Sequence, residues 1–237
     1  MSSAKNPGRF SGLLYILTSI PGFFAMMYVP SKLIVHGNAA ATANNIAGSE
    51  TLFRLGIACN LTCQAGFIFV ALALYDLLKG VNQRHASVMV ILIVVSIPIA
   101  FLNELNAIVA LVLVHGADFL SIFERPQRDA LAMLFLNLHS YGFDVAAIFW
   151  GLWLFPLGLL VYRSGFLPRV ISRILGVLLV LNGFTYPVNS FTSLLLPQYE
   201  HVVSRWMMPL SFGELVFMFW LLIMGAQAKP LADRSVS

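Results

Sequence analysis

Six long apolar stretches, separated by shorter polar segments, dominate the pattern of hydrophobic and polar positions along the chain. Each stretch is about 20 residues or longer, which is the length of helix needed to cross a hydrocarbon core about 30 Å thick. The apolar residues run continuously and do not alternate with polar ones, as they do in a membrane β-barrel. The pattern therefore predicts an all-α membrane protein, a six-helix transmembrane bundle that forms one domain over residues 1–237. The predicted spans cover about 10–29, 52–78, 87–114, 130–162, 170–196 and 206–226.

The fourth stretch is longer than one span requires, since it exceeds about 30 residues. It has two interpretations. One is a single tilted span, and the other is a short interfacial segment over residues 130–138 followed by a span near residues 143–162. The connection between the first two spans, residues 30–51, is rich in Ala and Asn and predicts a short helix at the surface.

The composition excludes an ordinary soluble domain. Hydrophobic residues make up 59% of the chain and charged residues 10%, and the mean hydropathy is +0.85. Soluble domains contain about 45–50% apolar and about 25% charged residues. The net charge of +4 comes from basic residues that are scattered singly, whereas nucleic-acid-binding proteins cluster them on one face. We therefore expect the lipid bilayer, and no nucleic acid, as a partner.

The first stretch follows Lys5 and Arg9, as the apolar part of a signal peptide would. It is longer than the segment of about 7–15 residues that a signal peptide contains, so we interpret it as a retained first span.

The basic residues also predict which side of the membrane each connection faces. Nine of the 14 Lys and Arg residues fall on the side that holds both termini, so the positive-inside rule predicts that the N- and C-termini are inside. The inner residues are Lys5, Arg9, Lys79, Arg84, Arg163, Arg169, Arg173, Lys229 and Arg234. The outer residues are Lys32, Arg54, Arg125, Arg128 and Arg205.

Three carboxyl side chains fall inside predicted spans, where an ionisable group costs about 2.5–3.5 kcal/mol on insertion scales. They are Glu104 in the third span, Asp144 in the fourth and Glu214 in the sixth. With the termini inside, all three lie in the outer half of the membrane, and no Lys or Arg lies deep in any predicted span. Helix packing rarely needs ionisable groups, so these acids indicate a functional site.

Uncharged polar residues accompany the acids and repeat at helical spacing. The repeats are Asn137, Ser140, Tyr141 and Asp144; Asn182, Tyr186, Asn189, Ser190 and Ser193; and Tyr15, Thr18, Ser19 and Gly22. In lipid, such stripes turn toward the interior of a bundle, where they either hold helices together or line a cavity. We predict a polar cavity in the outer half of the membrane. Its candidate ligand-binding residues are Glu104, Asp144, Glu214, Asn60, Gln64, Asn103, Asn106, His139, Tyr141, Asn182, Tyr186 and Asn189.

Other chemistries receive little support from the sequence. His139 lies about 140° from the helical face of Asp144, which is typical of a histidine at a helix interface rather than of an acid–base partner. No H-x-x-x-H or H-E-x-x-H spacing, P-loop or G-x-G-x-x-G is present, so we predict no metal and no cofactor. Cys59 and Cys63, four residues apart, suit one helical face better than a disulfide.

Three functions are consistent with this pattern. The first is a binding, sensing or transport component that holds a small or amphiphilic molecule, with Glu104, Asp144 and Glu214 as polar contacts. The second is an intramembrane enzyme acting on a lipid or isoprenoid, in which Glu104 or Glu214 is the general acid and Asp144 or His139 is the base. The third is a structural subunit whose polar stripes bind a membrane protein partner.

Several sequence motifs resemble those of a known family. They are the runs that begin at Phe53 (FRLGIA), His139 (HSYGF), Leu157 (LGLLVYRSGFLPR) and Ile174 (ILGVLLVL). With these motifs the chain resembles the bacterial multi-pass membrane family called domain of unknown function 4386, over about residues 9–225. The resemblance implies a six-span protein of the bacterial cytoplasmic (inner) membrane. It implies no activity and no functional residues.

The most specific of these motifs, residues 162–169, has a physical interpretation as well. Ser164 to Pro168 predict a tight cytoplasmic turn between two spans. Gly165 permits a positive φ, and Pro168 suits the first turn of the next helix. We interpret the motif as a hairpin and not as a site of chemistry.

Overall fold

A computed structural model describes residues 6–165 and 169–226, and helices account for nearly all of these residues. The helices form six segments that are long and apolar enough to cross a membrane, which confirms the predicted fold class. The segments are Pro7–Leu33, Glu50–Leu78, Gln83–His115, Arg125–Ser164, Arg169–Leu195 and Pro197–Met224.

Within the described residues, ten α-helices build these segments and their connections. They are α1 (Pro7–Phe23), α2 (Val29–Leu33), α3 (Ala39–Gly48), α4 (Glu50–Leu78), α5 (Gln83–His115), α6 (Arg125–Leu152), α7 (Leu154–Ser164), α8 (Arg169–Leu195), α9 (Glu200–Met207) and α10 (Gly213–Met224). A π-helical turn, Phe24–Tyr28, joins α1 to α2, and 3₁₀ turns cover Asp118–Leu120, Pro197–Tyr199 and Met208–Phe212.

The fourth span is a single helical segment of 40 residues, Arg125–Ser164. Helix α6 continues unbroken through residue 138, so no separate interfacial segment precedes the span. The helix is interrupted instead at Trp153. Pro156 has no N–H to bond the carbonyl of Leu152, and its ring crowds that carbonyl. At 1.5 Å per residue the segment is about 60 Å long, so its ends extend beyond the hydrocarbon core.

The described residues form two compact units. The first unit comprises those of Met1–Thr18, Gly66–Ser96 and Asp144–Ser237, and the second comprises Ser19–Ala65 and Ile97–Phe143.

In the first unit, small residues allow α7 and α8 to approach each other closely. A Cβ added at Gly158 would lie 2.7 Å from the carbonyl oxygen of Gly176, and a Cβ at Gly176 would lie 2.7 Å from that of Gly158. Leu154, Leu157 and Leu160 are fully buried beside this contact. The glycines therefore let dispersion contacts form between the two helices over their shared length.

The first and last spans are also joined in the first unit, by one hydrogen bond between backbone groups and two between a side chain and the backbone. The Gly8 N–H donates to the Ala226 carbonyl at 2.9 Å. The Asn6 Oδ1 accepts from the Ala226 N–H at 3.0 Å, and the Arg9 guanidinium donates to the Ile223 carbonyl at 3.1 Å. These bonds satisfy carbonyls and an N–H at helix ends that have no partner within their own helix.

The core of the second unit contains α3, the helix expected in the connection between the first two spans. Asn38 caps it by accepting from the Ala41 N–H at 2.9 Å. Its Ile46 is fully buried against a cluster that includes Val29, Phe53 and Leu111. The helix is therefore amphipathic and is anchored to the spans by its apolar side.

The cysteines behave as the sequence predicts. Neither Cys59 nor Cys63 forms a disulfide within the described part of the chain. Cys63 is buried in the second unit, where a Cβ added at Gly22 would lie 2.6 Å from its Sγ.

Parts of the predicted cytoplasmic side lie outside the described residues, among them Lys5, Phe166, Leu167, Pro168, Lys229 and Arg234. Within the described part of the hairpin, Gly165 ends α7 with φ at +60°, the left-handed conformation for which glycine was expected there. The inside location of both termini stays a prediction.

We expect Gly158→Ala to destabilise the protein, because the new Cβ meets a backbone carbonyl that cannot rotate away. The cost should be about 1–3 kcal/mol, as for other overpacked sites, and is measured by thermal or denaturant unfolding in detergent. Gly48→Ala is the matched control, since its Cβ would meet no atom within 4 Å. Equal unfolding midpoints for the two variants would contradict the close approach of α7 and α8.

Candidate functional site

The carboxyl group of Glu104 lies in the second unit, at a point where three helices meet. Glu104 is on α5 and is 2% exposed. Its Oε1 accepts a hydrogen bond from Asn60 Nδ2 of α4, and His139 Nε2 of α6 lies 3.0 Å from the same oxygen. A carboxylate only accepts hydrogen bonds, so Nε2 is the donor when Glu104 is ionised. Two other helices thus supply donors to one buried carboxyl group.

Hydrogen bonds of asparagine side-chain amides hold α5 and α6 together beside the Glu104 carboxyl. Asn103 Nδ2 donates to the backbone carbonyl of His139 at 2.8 Å, and Asn106 Nδ2 donates to Asn103 Oδ1 at 3.1 Å. A Cβ at position 142 would overlap the Asn103 amide, and Gly142 provides the room. These contacts hold the His139 ring next to Glu104.

The amide of Asn60 is only partly satisfied. Asn60 is 2% exposed, and its Oδ1 is buried with no hydrogen-bond partner among the described residues. Gln64, 5% exposed, follows one helical turn later. Buried polar atoms are nearly always paired, so the Asn60 oxygen marks a place where a donor is expected. We call Asn60, Gln64, Asn103, Glu104, Asn106 and His139 the Glu104 cluster.

A second buried carboxyl group, that of Glu214, lies in the first unit and is bound by two phenols. Tyr15 of α1 donates to its Oε1, and Tyr186 of α8 donates to its Oε2 at 3.2 Å. The Tyr15 ring packs edge-on against Phe67 and is tilted against Trp153. The phenol therefore reaches the carboxyl from an apolar, aromatic surrounding.

A helix break near Pro209 positions Glu214. The 3₁₀ turn Met208–Phe212 ends where α10 begins, and Glu214 falls in the first turn of α10, where the helix dipole favours a negative charge. The amide nitrogen of Asn182, oriented toward the turn, lies 2.9 Å from the Leu210 carbonyl and 2.7 Å from the Ser211 carbonyl. Asn182 is fully buried and thus satisfies carbonyls that the break leaves without helical partners.

Asp144 also belongs to the first unit, and its surroundings are distinct from those of Glu104. Asp144 is half-buried, and Ser193 of α8, in the same unit, is buried. Asn189 lies one turn before Ser193 on α8, and its Oδ1 is buried without a partner among the described residues.

The stripe on α6 is the main correction to the sequence analysis. Asn137, Ser140 and Tyr141 are exposed, and Tyr141 is 47% exposed, so the prediction that this stripe turns inward is wrong for these residues. His139 faces the interior instead. Helical spacing shows which residues share a face but not which face is buried, and here the contacts of Glu104 and Asn103 set the rotation of α6.

The other two stripes lie where the sequence predicts. Asn182, Ser190 and Ser193 are buried on α8, and Tyr15 and Thr18 are buried on α1. Tyr15 belongs to one of these stripes and is not among the twelve ligand-binding candidates, yet it contacts Glu214. A tyrosine inside an apolar span is a signal of such a contact, because its hydroxyl needs a partner there.

The twelve candidates therefore divide between the units. Glu104 and its cluster belong to the second unit, as does the exposed Tyr141, while Asp144, Asn182, Tyr186, Asn189 and Glu214 belong to the first. Across residues 6–165 and 169–226, no group of three or more His, Cys, Asp or Glu side chains is arranged to hold a metal ion.

Comparisons with known proteins agree with the sequence resemblance. The family described as Domain of unknown function (DUF4386) matches residues 10–225. A protein of Archaeoglobus fulgidus described as an uncharacterized protein is 29% identical over 99 residues, which are 38% of this chain and 50% of that protein. The chain thus spans about half the length of the curated relative it matches. No solved structure matches.

We expect the exposed polar face of α6 to contact water. In a chain whose native cysteines are replaced by alanine, Ser140→Cys should react with a membrane-impermeant maleimide added outside intact cells, because a thiol needs water to form the reactive thiolate. Leu138→Cys is the control, at an apolar position that is 49% exposed, and should stay unmodified in lipid. Reaction of both positions, or of neither, would contradict a wet face. Reaction only in inverted membranes would contradict the predicted orientation.

Proposed function

The chain belongs to this family of multi-pass membrane proteins, and we propose that it binds a small or amphiphilic molecule at the Glu104 cluster. One observation carries the proposal. A carboxyl group that is 2% exposed lies inside a span and takes hydrogen bonds from side chains of two other spans. Helix packing does not require an ionisable group at such a cost, and intramembrane acids generally belong to functional sites.

The proposed role is that of a binding, sensing or transport component. With the N- and C-termini in the cytoplasm, the Glu104 cluster lies in the outer half of the membrane and receives its molecule from that side or from the outer leaflet. We place the protein in the cytoplasmic membrane of a bacterial cell, as the sequence resemblance implies.

A second candidate is an intramembrane enzyme acting on a lipid or isoprenoid. The distance of 3.0 Å between Glu104 Oε1 and His139 Nε2 favours it, because a carboxyl and an imidazole in hydrogen-bond contact can act as an acid–base pair. His139, and not Asp144, is then the base that accompanies Glu104. Glu104→Gln would abolish turnover in this case and leave binding of the substrate in place.

A third candidate is a structural subunit. The exposed face formed by Asn137, Ser140 and Tyr141 supports it, since polar side chains on a span can hydrogen-bond to a membrane protein partner. In this case the face would be covered by the partner in the membrane.

Native mass spectrometry of the protein released from mild detergent tests the proposal. We expect a discrete small-molecule adduct that is lost from Glu104→Gln, because this substitution keeps the shape of the side chain and removes the carboxylate. Glu50→Gln is the matched control, since the Glu50 carboxyl is bound by Arg54 at 2.5 Å and by His115 at 3.1 Å. It should retain the adduct.

Three other results would redirect the assignment. An adduct that persists in Glu104→Gln would contradict the Glu104 carboxylate as a binding contact, and would favour the enzyme if this variant also loses turnover. A protein with no adduct would contradict an occupied site, and a complex with a second protein would favour the structural subunit.

A further inference from the structure

We infer that the group recognised by the Glu104 cluster is a protonated amine, held between the Glu104 carboxylate and the amide oxygen of Asn60. This inference rests on the proposed function and specifies the chemistry of its ligand. It follows from the hydrogen-bonding groups that the cluster leaves available.

The first step concerns the two acceptors. The Glu104 carboxylate accepts hydrogen bonds at Oε1 from Asn60 and His139. The Asn60 amide that donates to Glu104 also carries Oδ1, which has no partner among the described residues although Asn60 is 2% exposed. A carboxylate, which can accept further hydrogen bonds, and a carbonyl oxygen that has no donor are therefore adjacent.

The second step concerns the donors nearby. Asn103 directs its amide nitrogen to the backbone of His139, and Asn106 directs its own to Asn103. The Asn103 amide thus joins α5 to α6, and the Asn106 amide makes a hydrogen bond within α5. The atom of the cluster that has no partner among the described residues is an acceptor, Asn60 Oδ1, and it selects a ligand that donates hydrogen bonds.

The third step concerns charge. The ion-pair partner that the described residues give to Glu104 is His139, which is charged only when it is protonated. No Lys or Arg of the described residues forms an ion pair with this carboxyl group. A buried carboxylate is stabilised by a positive charge and repels an anion. A phosphate or carboxylate ligand would therefore meet both charge repulsion and an unpaired acceptor.

An ammonium group supplies the positive charge that stabilises the Glu104 carboxylate and the hydrogen-bond donor that the Asn60 oxygen lacks, because it is a cation with three N–H donors. An alcohol offers a single donor and leaves the carboxylate without a counter-charge. Since Glu104 lies within an apolar span, a molecule that reaches it from the bilayer also carries an apolar part. The ligand class is a primary amine with a hydrocarbon tail.

Binding of three probes to the full chain in nanodiscs of uncharged lipid tests this inference. The probes are octylamine, octanol and octanoate, which share a tail and differ in the head group. We expect octylamine to bind, and its apparent Kd to rise at least about tenfold in Glu104→Gln, as loss of a charged hydrogen bond predicts. Asn60→Ala should also weaken octylamine, while Glu50→Gln should leave its Kd unchanged. Thermal unfolding of each variant separates loss of binding from loss of fold.

The outcomes distinguish the inference from the proposed function. Octanol or octanoate binding as tightly as octylamine would overturn the amine and leave a binding site at Glu104. The amine would also be overturned, and a binding site at Glu104 kept, if none of the probes binds but the purified protein carries another adduct that Glu104→Gln removes. Failure of every probe together with a bare protein mass would overturn both, and would mean that water satisfies Asn60.

If Glu104→Gln unfolds, Asn60→Ala provides the test, because it removes the unpaired amide oxygen and leaves the carboxylate in place. The apparent Kd of octylamine should rise in this variant. An unchanged Kd in a folded Asn60→Ala would overturn the assignment of the amine to those two acceptors.

Discussion

The structure depends above all on the need to satisfy polar groups inside an apolar medium. A carboxyl group within a span has no water to bond to, so its donors come from other helices. Glu104 takes them from α4 and α6, and Glu214 takes them from α1 and α8. Each acid therefore fixes the rotation of two neighbouring helices as well as its own, and the polar residues decide which faces of the spans meet.

The groups that donate hydrogen bonds to the two acids differ in their chemistry. Glu214 is bound by two phenols, each of which donates a hydrogen bond to one of the carboxyl oxygens. Glu104 faces an imidazole and an amide whose Oδ1 has no partner among the described residues. By these contacts Glu214 joins α1, α8 and α10, and Glu104 joins α4, α5 and α6 while one amide oxygen beside it has no partner among the described residues.

Local sequence patterns predict much of this architecture, but they do not predict all of it. The six spans follow from the length of their apolar stretches, and the buried face of α8 follows from the spacing of Asn182, Ser190 and Ser193. The rotation of α6 does not follow from its sequence. Polar residues lie on two of its faces, Tyr141 on one and His139 on the other, and the pattern does not show which face is buried. The pairing of His139 with Glu104 joins residues 35 positions apart, which no local pattern specifies. The break at Trp153 was readable in principle from Pro156.

The bonds between the first and last spans have a consequence for biogenesis. Because α1 is synthesised long before α10, Tyr15 enters the membrane while its carboxyl partner on Glu214 has not yet been translated. Until then the phenol must rest at the interface, bond to its own backbone or be sheltered by the insertion machinery. The ends of this chain close a loop of more than 200 residues, so the native arrangement of α1 is an event of the final stage of assembly. If translation stalls before α10, α1 is already inserted in the membrane but lacks its contacts with α10.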